Sequence, residues 1–116
     1  RLNNDYLVTV IEHPGYLRSA SKLLSRNQLD EIADYLAANP KSGDLIKGTG
    51  GCRKLRYAGV SSKGKSSGAR VIHIFIANDH EVHLIDVYLK GIKNDLSKLE
   101  MNELAKLAAL LKGEKS

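Results

Sequence analysis

Ala69-Arg-Val-Ile-His-Ile-Phe-Ile-Ala77 and Glu81-Val-His-Leu-Ile-Asp-Val-Tyr-Leu-Lys90 are two apolar, β-branched runs separated by Asn78-Asp79. Runs of this length with a turn signal between them read as a pair of antiparallel strands, and their near-continuous apolar character suits central positions in a sheet covered by helices. Working toward the N-terminus, Cys52–Ala58 alternates, so that Cys52, Lys54, Arg56 and Ala58 face one way and Arg53, Leu55 and Tyr57 the other. Residues 59–68, rich in Gly, Ser and Lys, read as the hairpin tip joining it to the first run, and residues 40–51 as a Gly-containing loop. Three consecutive strands favour a meander, to which Tyr6-Leu-Val-Thr-Val-Ile11 adds a fourth strand.

Helical patterns fill the rest. After His13-Pro14-Gly15, Leu17, Ala20 and Leu24 share one face. Ser25-x-x-Gln28 forms a capping box ahead of Leu29, Ile32, Ala33, Leu36 and Ala37, a stripe that Asn39-Pro40 ends. Ser97-x-x-Glu100 is a second capping box, ahead of Met101, Leu104, Leu107, Ala108 and Leu111. The expected order is β-α-α-β-β-β-α in one α+β domain over residues 1–116, a compact, mostly antiparallel four-stranded sheet flanked by helices.

The 116 residues suffice for one core. With no Trp, one Phe and five Tyr, base-stacking platforms are scarce, which argues against a sheet that binds RNA mainly by stacking. The single Cys52 excludes an internal disulfide and a cysteine-cluster zinc site, and a reducing cytoplasm is the natural compartment. No apolar run approaches the ~20 residues a membrane-spanning helix needs, and no signal-peptide pattern is visible. No membrane partner is expected.

Charge is unevenly distributed. From Leu45 to Asn78 there is no acidic residue, yet the stretch holds Lys47, Arg53, Lys54, Arg56, Lys63, Lys65 and Arg70. The chain has 18 Lys+Arg against 13 Asp+Glu; without those seven cations the balance is 11 against 13. A local concentration of this kind is the footprint of a phosphate-binding face. Lys54 and Arg56 project from one face of a strand, Arg70 starts the next, and Tyr88 and Lys90 share a face of the last, with Lys93 after it. A sheet can gather them around a phosphodiester and its pentacoordinate transition state. Crowded cations also depress a lysine pKa, and a lysine tuned in this way can take a proton from a ribose 2′-OH. Charge and spacing alone leave open a solvated cationic face, a nucleic-acid-binding face and a catalytic one.

Other constellations are weaker. His13, His73, His80 and His83 form no metal-ligand spacing, so no metal site and no cofactor are expected. His73 and Tyr57 read as core residues, and Cys52 as structural despite neighbouring cations that favour the thiolate. Gly48-x-Gly50-Gly51 precedes a strand, unlike a dinucleotide fingerprint, and reads as a conformational need of the loop.

Four stretches carry a resemblance: Leu36-Ala-Ala-Asn-Pro-Lys-Ser-Gly-Asp44, Gly48-Thr-Gly-Gly-Cys-Arg-Lys-Leu-Arg-Tyr57, Lys63-Gly-Lys-Ser-Ser-Gly-Ala-Arg-Val-Ile72 and Val87-Tyr-Leu-Lys-Gly-Ile-Lys-Asn-Asp-Leu-Ser97. In order and spacing the chain resembles the HigB-type toxins of the RelE superfamily, ribosome-dependent mRNA endonucleases of bacterial type II toxin–antitoxin modules. The resemblance implies a RelE-like sheet and a site of basic residues without a conventional His pair. Lys54 and Arg56 match the family's paired strand cations, and Arg70 the arginine that stabilises transition-state charge. Lys90 and Lys93 match the basic cluster after the last strand, where a leaving-group acid or phosphate ligand is expected. Lys54, Arg56, Arg70 and Lys90 are the catalytic candidates; Lys47, Lys63, Lys65, Lys93 and Tyr88 are candidates for binding RNA or the ribosome. The chain departs from the family in having Ile92 where an acid is typical and His73 where an aromatic is common.

The resemblance also implies the reaction, attack of a 2′-OH on the adjacent phosphate without a metal, on mRNA held in the ribosomal A site. Implied partners are the ribosome, mRNA and a cognate antitoxin, often a helix-turn-helix DNA-binding protein. Two other readings compete: a toxin of the same fold that poisons DNA gyrase, which does not require the Lys54, Arg56 and Arg70 set, and a non-catalytic RNA-binding module.

Overall fold

The computed structural model describes residues 7–58, 68–93 and 95–113. Strands β1 (Thr9–Glu12), β2 (Asp44–Leu45), β3 (Arg53–Tyr57), β4 (Ala69–Ile76) and β5 (Glu81–Leu89) form one sheet in the order β1-β5-β4-β3-β2. β1 runs parallel to β5, and the other pairs are antiparallel. The meander and the added N-terminal strand are as the sequence predicts, and β4 and β5 occupy interior positions. The sheet has five strands rather than four. The extra one, β2, is two residues within the stretch read as a loop, too short for any periodicity to register. A three-residue 3-10 turn, Ala77–Asp79, joins β4 to β5.

Helices α1 (Pro14–Leu23), α2 (Arg26–Ala38) and α3 (Lys98–Leu111) follow their sequence signals. Pro14 at the first turn of α1 has a φ already suited to a helix and lacks only an amide hydrogen that would go unused there. Both capping boxes form, with Ser25 Oγ accepting from Gln28 N and Ser97 Oγ from Glu100 N. One detail differs: α1 buries Tyr16 and Ala20, with Leu24 buried at its C-cap, and leaves Leu17 42% exposed. A Tyr16 stripe at i, i+4 and i+8 offers more apolar area to the sheet than one begun at Leu17.

Two cores sandwich the sheet. On one face α1 and α2 pack with Val71, Val82, Leu84 and Val87; on the other α3 brings Leu104 and Ala108 onto Cys52, Ile72, Ile74 and Ile76. α3 covers only part of its face. The cationic strand positions lie on that same face, beyond the helix.

A basic cleft at the open end of the sheet

Register places the cations. Arg56 pairs with Arg70, and Arg70 with Tyr88, so the three lie in a row across β3, β4 and β5; Lys54, opposite Ile72, is on the same face. Lys54, Arg56, Arg70 and Lys90 line a cleft of about 490 Å³ together with Gly43, Asp44 and Leu55. All four catalytic candidates are therefore brought together. Arg56 is exposed, whereas Arg70 is 8% exposed. Among the described residues no carboxylate lies within ion-pair distance of Arg56 or Arg70.

The binding candidates are dispersed. Lys47 is exposed in the β2–β3 turn, beyond the Ile46–Cys52 backbone hydrogen bond and at the far end of β3 from Arg56. Lys93 pairs with Glu100 and lies 5.3 Å from the centroid of the Tyr88 ring. Tyr88 is 7% exposed, too covered to be an open stacking surface; its buried hydroxyl has no hydrogen-bond partner among the described residues, and burial raises its pKa. It packs beside Arg70 instead. Lys63 and Lys65 lie outside the described residues.

Sequence reasoning missed the acidic rim. Asp44 sits opposite Lys54 on β2, and Asp95 Oδ1 is 3.7 Å from Lys54 Nζ. The Gly43-Asp44 pair was visible at the edge of the acid-free stretch, but nothing local indicated that it would return as a strand beside Lys54. That return requires a glycine: Gly43 has φ +92°, and a Cβ there would stand 2.6 Å from the Lys54 carbonyl oxygen. Arg53 Nη1 donates to the Gly43 carbonyl at 2.9 Å, fixing the segment from the other face.

His73 is on the opposite face from the cleft. Its ring is fully buried, with Nε2 donating to the Ser42 carbonyl at 2.9 Å and Nδ1 without a partner among the described residues; burial pushes its pKa down to about 4. It ties β4 to the approach of β2 and is a neutral structural residue. Tyr57 also faces away, its hydroxyl donating to Glu31. Cys52 is buried and donates its N–H to Thr49 Oγ1 at 3.2 Å; burial raises its thiol pKa, outweighing the pull of Lys112. Gly48, Gly50 and Gly51 all have positive φ, which accounts for that glycine run. Among the described residues no group of three or more His, Cys, Asp or Glu side chains is arranged to hold a metal ion, and no helix is long and apolar enough to cross a membrane.

No protein-family model matches the chain. Among solved structures it is similar to a double arginine-to-alanine mutant of the E. coli toxin RelE in the free state, at 20% identity and TM-score 0.58, over 87% of this chain and 96% of that one. It is similar as well to the isolated E. coli RelE toxin, at 21% identity and TM-score 0.53, over 86% and 98%. The chain has the RelE fold.

Proposed function

We propose that this chain is a toxin of a bacterial type II toxin–antitoxin system, of HigB type, and that it acts in the cytoplasm as an endoribonuclease on ribosome-bound mRNA. The observation that carries the reading is the cleft itself: Lys54, Arg56, Arg70 and Lys90 converge on one hollow, and the two arginines have no carboxylate partner among the described residues. An anion is the missing partner of such a site, and the RelE fold makes an RNA phosphate the reading to prefer.

In the proposed reaction the ribose 2′-oxygen attacks the adjacent phosphorus. The new 2′-O–P bond forms as the 5′-O–P bond breaks, leaving a 2′,3′-cyclic phosphate and a 5′-hydroxyl. Arg56 and Arg70 face the extra negative charge of the pentacoordinate state, which is where fixed cations accelerate phosphate chemistry most. The 2′-OH proton leaves to a base and the departing 5′-oxygen gains one from an acid; Lys54 and Lys90 border the cleft where those transfers occur. With four protein cations around the phosphate, the proposed step uses no metal. The proposed partners are the ribosome, which orients the RNA, and an antitoxin of the helix-turn-helix DNA-binding kind.

Mapping mRNA 5′ ends after induction in bacteria tests this reading. Cuts confined to translated regions are expected, and they should disappear with Arg56→Ala. Intact mRNA accompanied by DNA damage would favour gyrase poisoning instead.

A further inference from the structure

Leu55 and Arg56 line a second hollow besides the basic cleft. It measures about 320 Å³, and its other walls are Glu31, Ile32, Tyr35, Tyr57 and Ala58. Leu55 and Arg56 point to opposite faces of β3, so the two hollows flank one strand. At this point the strand is open on its outer side: β2 pairs only with Arg53 and Lys54. The Ile46 N–H to Cys52 carbonyl bond sets the alternation along β3. It turns the main-chain N–H of Arg56 outward, past the end of β2, where no described strand meets it.

Two of the chain's six aromatic residues stand at this hollow, and both are held by their hydroxyls. Ser42 Oγ donates to Tyr35 Oη at 3.2 Å, and Tyr57 Oη donates to Glu31. Tyr35 is 48% exposed, so the ring is fixed at its tip while its surface stays open. The scarcity of aromatics in the composition therefore conceals a local aromatic wall, one residue away from the phosphate-facing side of β3. Glu31 is exposed at the rim, and its carboxylate has acceptor capacity beyond the single bond from Tyr57.

We infer that this hollow is a nucleobase subsite, and that it takes a guanine from the single strand whose phosphate occupies the basic cleft. The inference rests on the endoribonuclease reading and names the base beside the proposed site. Stacking on a tyrosine ring accepts any base. Selection comes from the Watson–Crick edge, where guanine presents two adjacent donors, N1–H and N2–H₂, to a carboxylate. Adenine, cytosine and uracil each present one donor beside acceptors that Glu31 repels. A strand crossing the open edge of β3 can also place a phosphate oxygen on the outward N–H of Arg56.

Anisotropy titrations with labelled 2′-O-methyl hexanucleotides test this, because the blocked 2′-oxygen permits binding without cleavage. The wild type is expected to bind a hexamer of uridines interrupted by one guanosine about tenfold more tightly than the all-uridine hexamer, the scale of one stacked and paired base. Glu31→Ala should lose that preference while still binding the all-uridine strand. Tyr35→Ala should weaken both about tenfold, and Tyr35→Phe should keep both. An unchanged guanosine preference in Glu31→Ala, or wild-type affinities in Tyr35→Ala, overturns the subsite. If Arg56→Ala abolishes binding while those two variants match the wild type, the subsite falls and the cleft reading stands. If the wild type binds neither strand, the subsite falls, and the cleavage reading is decided by the mRNA 5′-end mapping.

Discussion

Arg56 and Arg70 are directly opposite each other on β3 and β4, two like charges at one position of an antiparallel ladder, and among the described residues no carboxylate lies within ion-pair distance of either. Cross-strand like charges destabilise a sheet, so in a free protein this pairing is a cost. Under the proposed function, an RNA phosphate held between the guanidinium groups offsets that cost.

The two arginines should therefore respond differently to substitution. Arg56 is exposed, and Arg56→Gln removes a repulsion without emptying a packed space. It is expected to leave stability unchanged or raise it by up to about 0.5 kcal/mol in urea unfolding, while abolishing toxicity on induction. Arg70 is buried between β3 and β5, so Arg70→Ala should abolish toxicity and also destabilise by about 1–3 kcal/mol. Toxicity from a folded Arg56→Gln protein at the wild-type level would remove that residue from the site.

Gly43→Ala should damage the cleft through the backbone alone. The substituted carbon meets the Lys54 carbonyl oxygen at 2.6 Å, and φ is +92°. Because that oxygen belongs to a paired strand, β2 must shift away and carry Asp44 with it. A loss of about 1–3 kcal/mol is expected, measurable as a lower urea midpoint, with amide exchange accelerated at Lys54 before any effect at Val82.

His73 gives the protein an acid limb. Its folded pKa is lowered to about 4 from 6.5 by burial, so the unfolded chain takes up the proton first as pH falls. Its contribution is intact above pH 6.5 and is lost progressively down to about pH 4, amounting to about 3 kcal/mol at full extent. Burial and the neighbouring His83 lower the His13 pKa as well, which steepens the same limb. His73→Gln can still donate to the Ser42 carbonyl but does not titrate. Urea unfolding across this range should show a shallower pH dependence for the variant; equal slopes would place the titration elsewhere.

The ion pair between Lys54 and Asp95 is exposed on its acidic side. Asp95→Asn is expected to change stability by less than about 0.5 kcal/mol, and to increase affinity for single-stranded RNA at low salt by releasing Lys54 toward phosphate. Anisotropy titrations at two salt concentrations check both the affinity and its salt slope; weaker binding would assign Asp95 a positioning role.

The sequence was most informative where local chemistry and periodicity agreed. The two capping boxes, the alternation of Cys52–Ala58 and the apolar runs of β4 and β5 have local physical causes, and each appears in the fold. Clustering of Lys54, Arg56, Arg70 and Lys90 followed from strand parity plus a meander. What escaped was non-local. β2 is two residues paired with a strand ten residues away; Asp95, just ahead of α3, reaches Lys54 on β3; Tyr35 on α2 and Tyr57 on β3 line one hollow. Lys93 belonged to the cationic cluster by spacing, yet Glu100, which the second capping box places nearby, draws it aside.

The account is tested most directly with purified protein, ribosomes and a defined mRNA carrying a single 2′-deoxy nucleotide at the mapped cleavage position. The all-ribose mRNA should be cut to a 2′,3′-cyclic phosphate and a 5′-hydroxyl, whereas the 2′-deoxy mRNA should remain intact at that position. Cleavage of the 2′-deoxy substrate at an undiminished rate, or products ending in a 3′-hydroxyl and a 5′-phosphate, would contradict attack by the 2′-oxygen in the Arg56–Arg70 cleft.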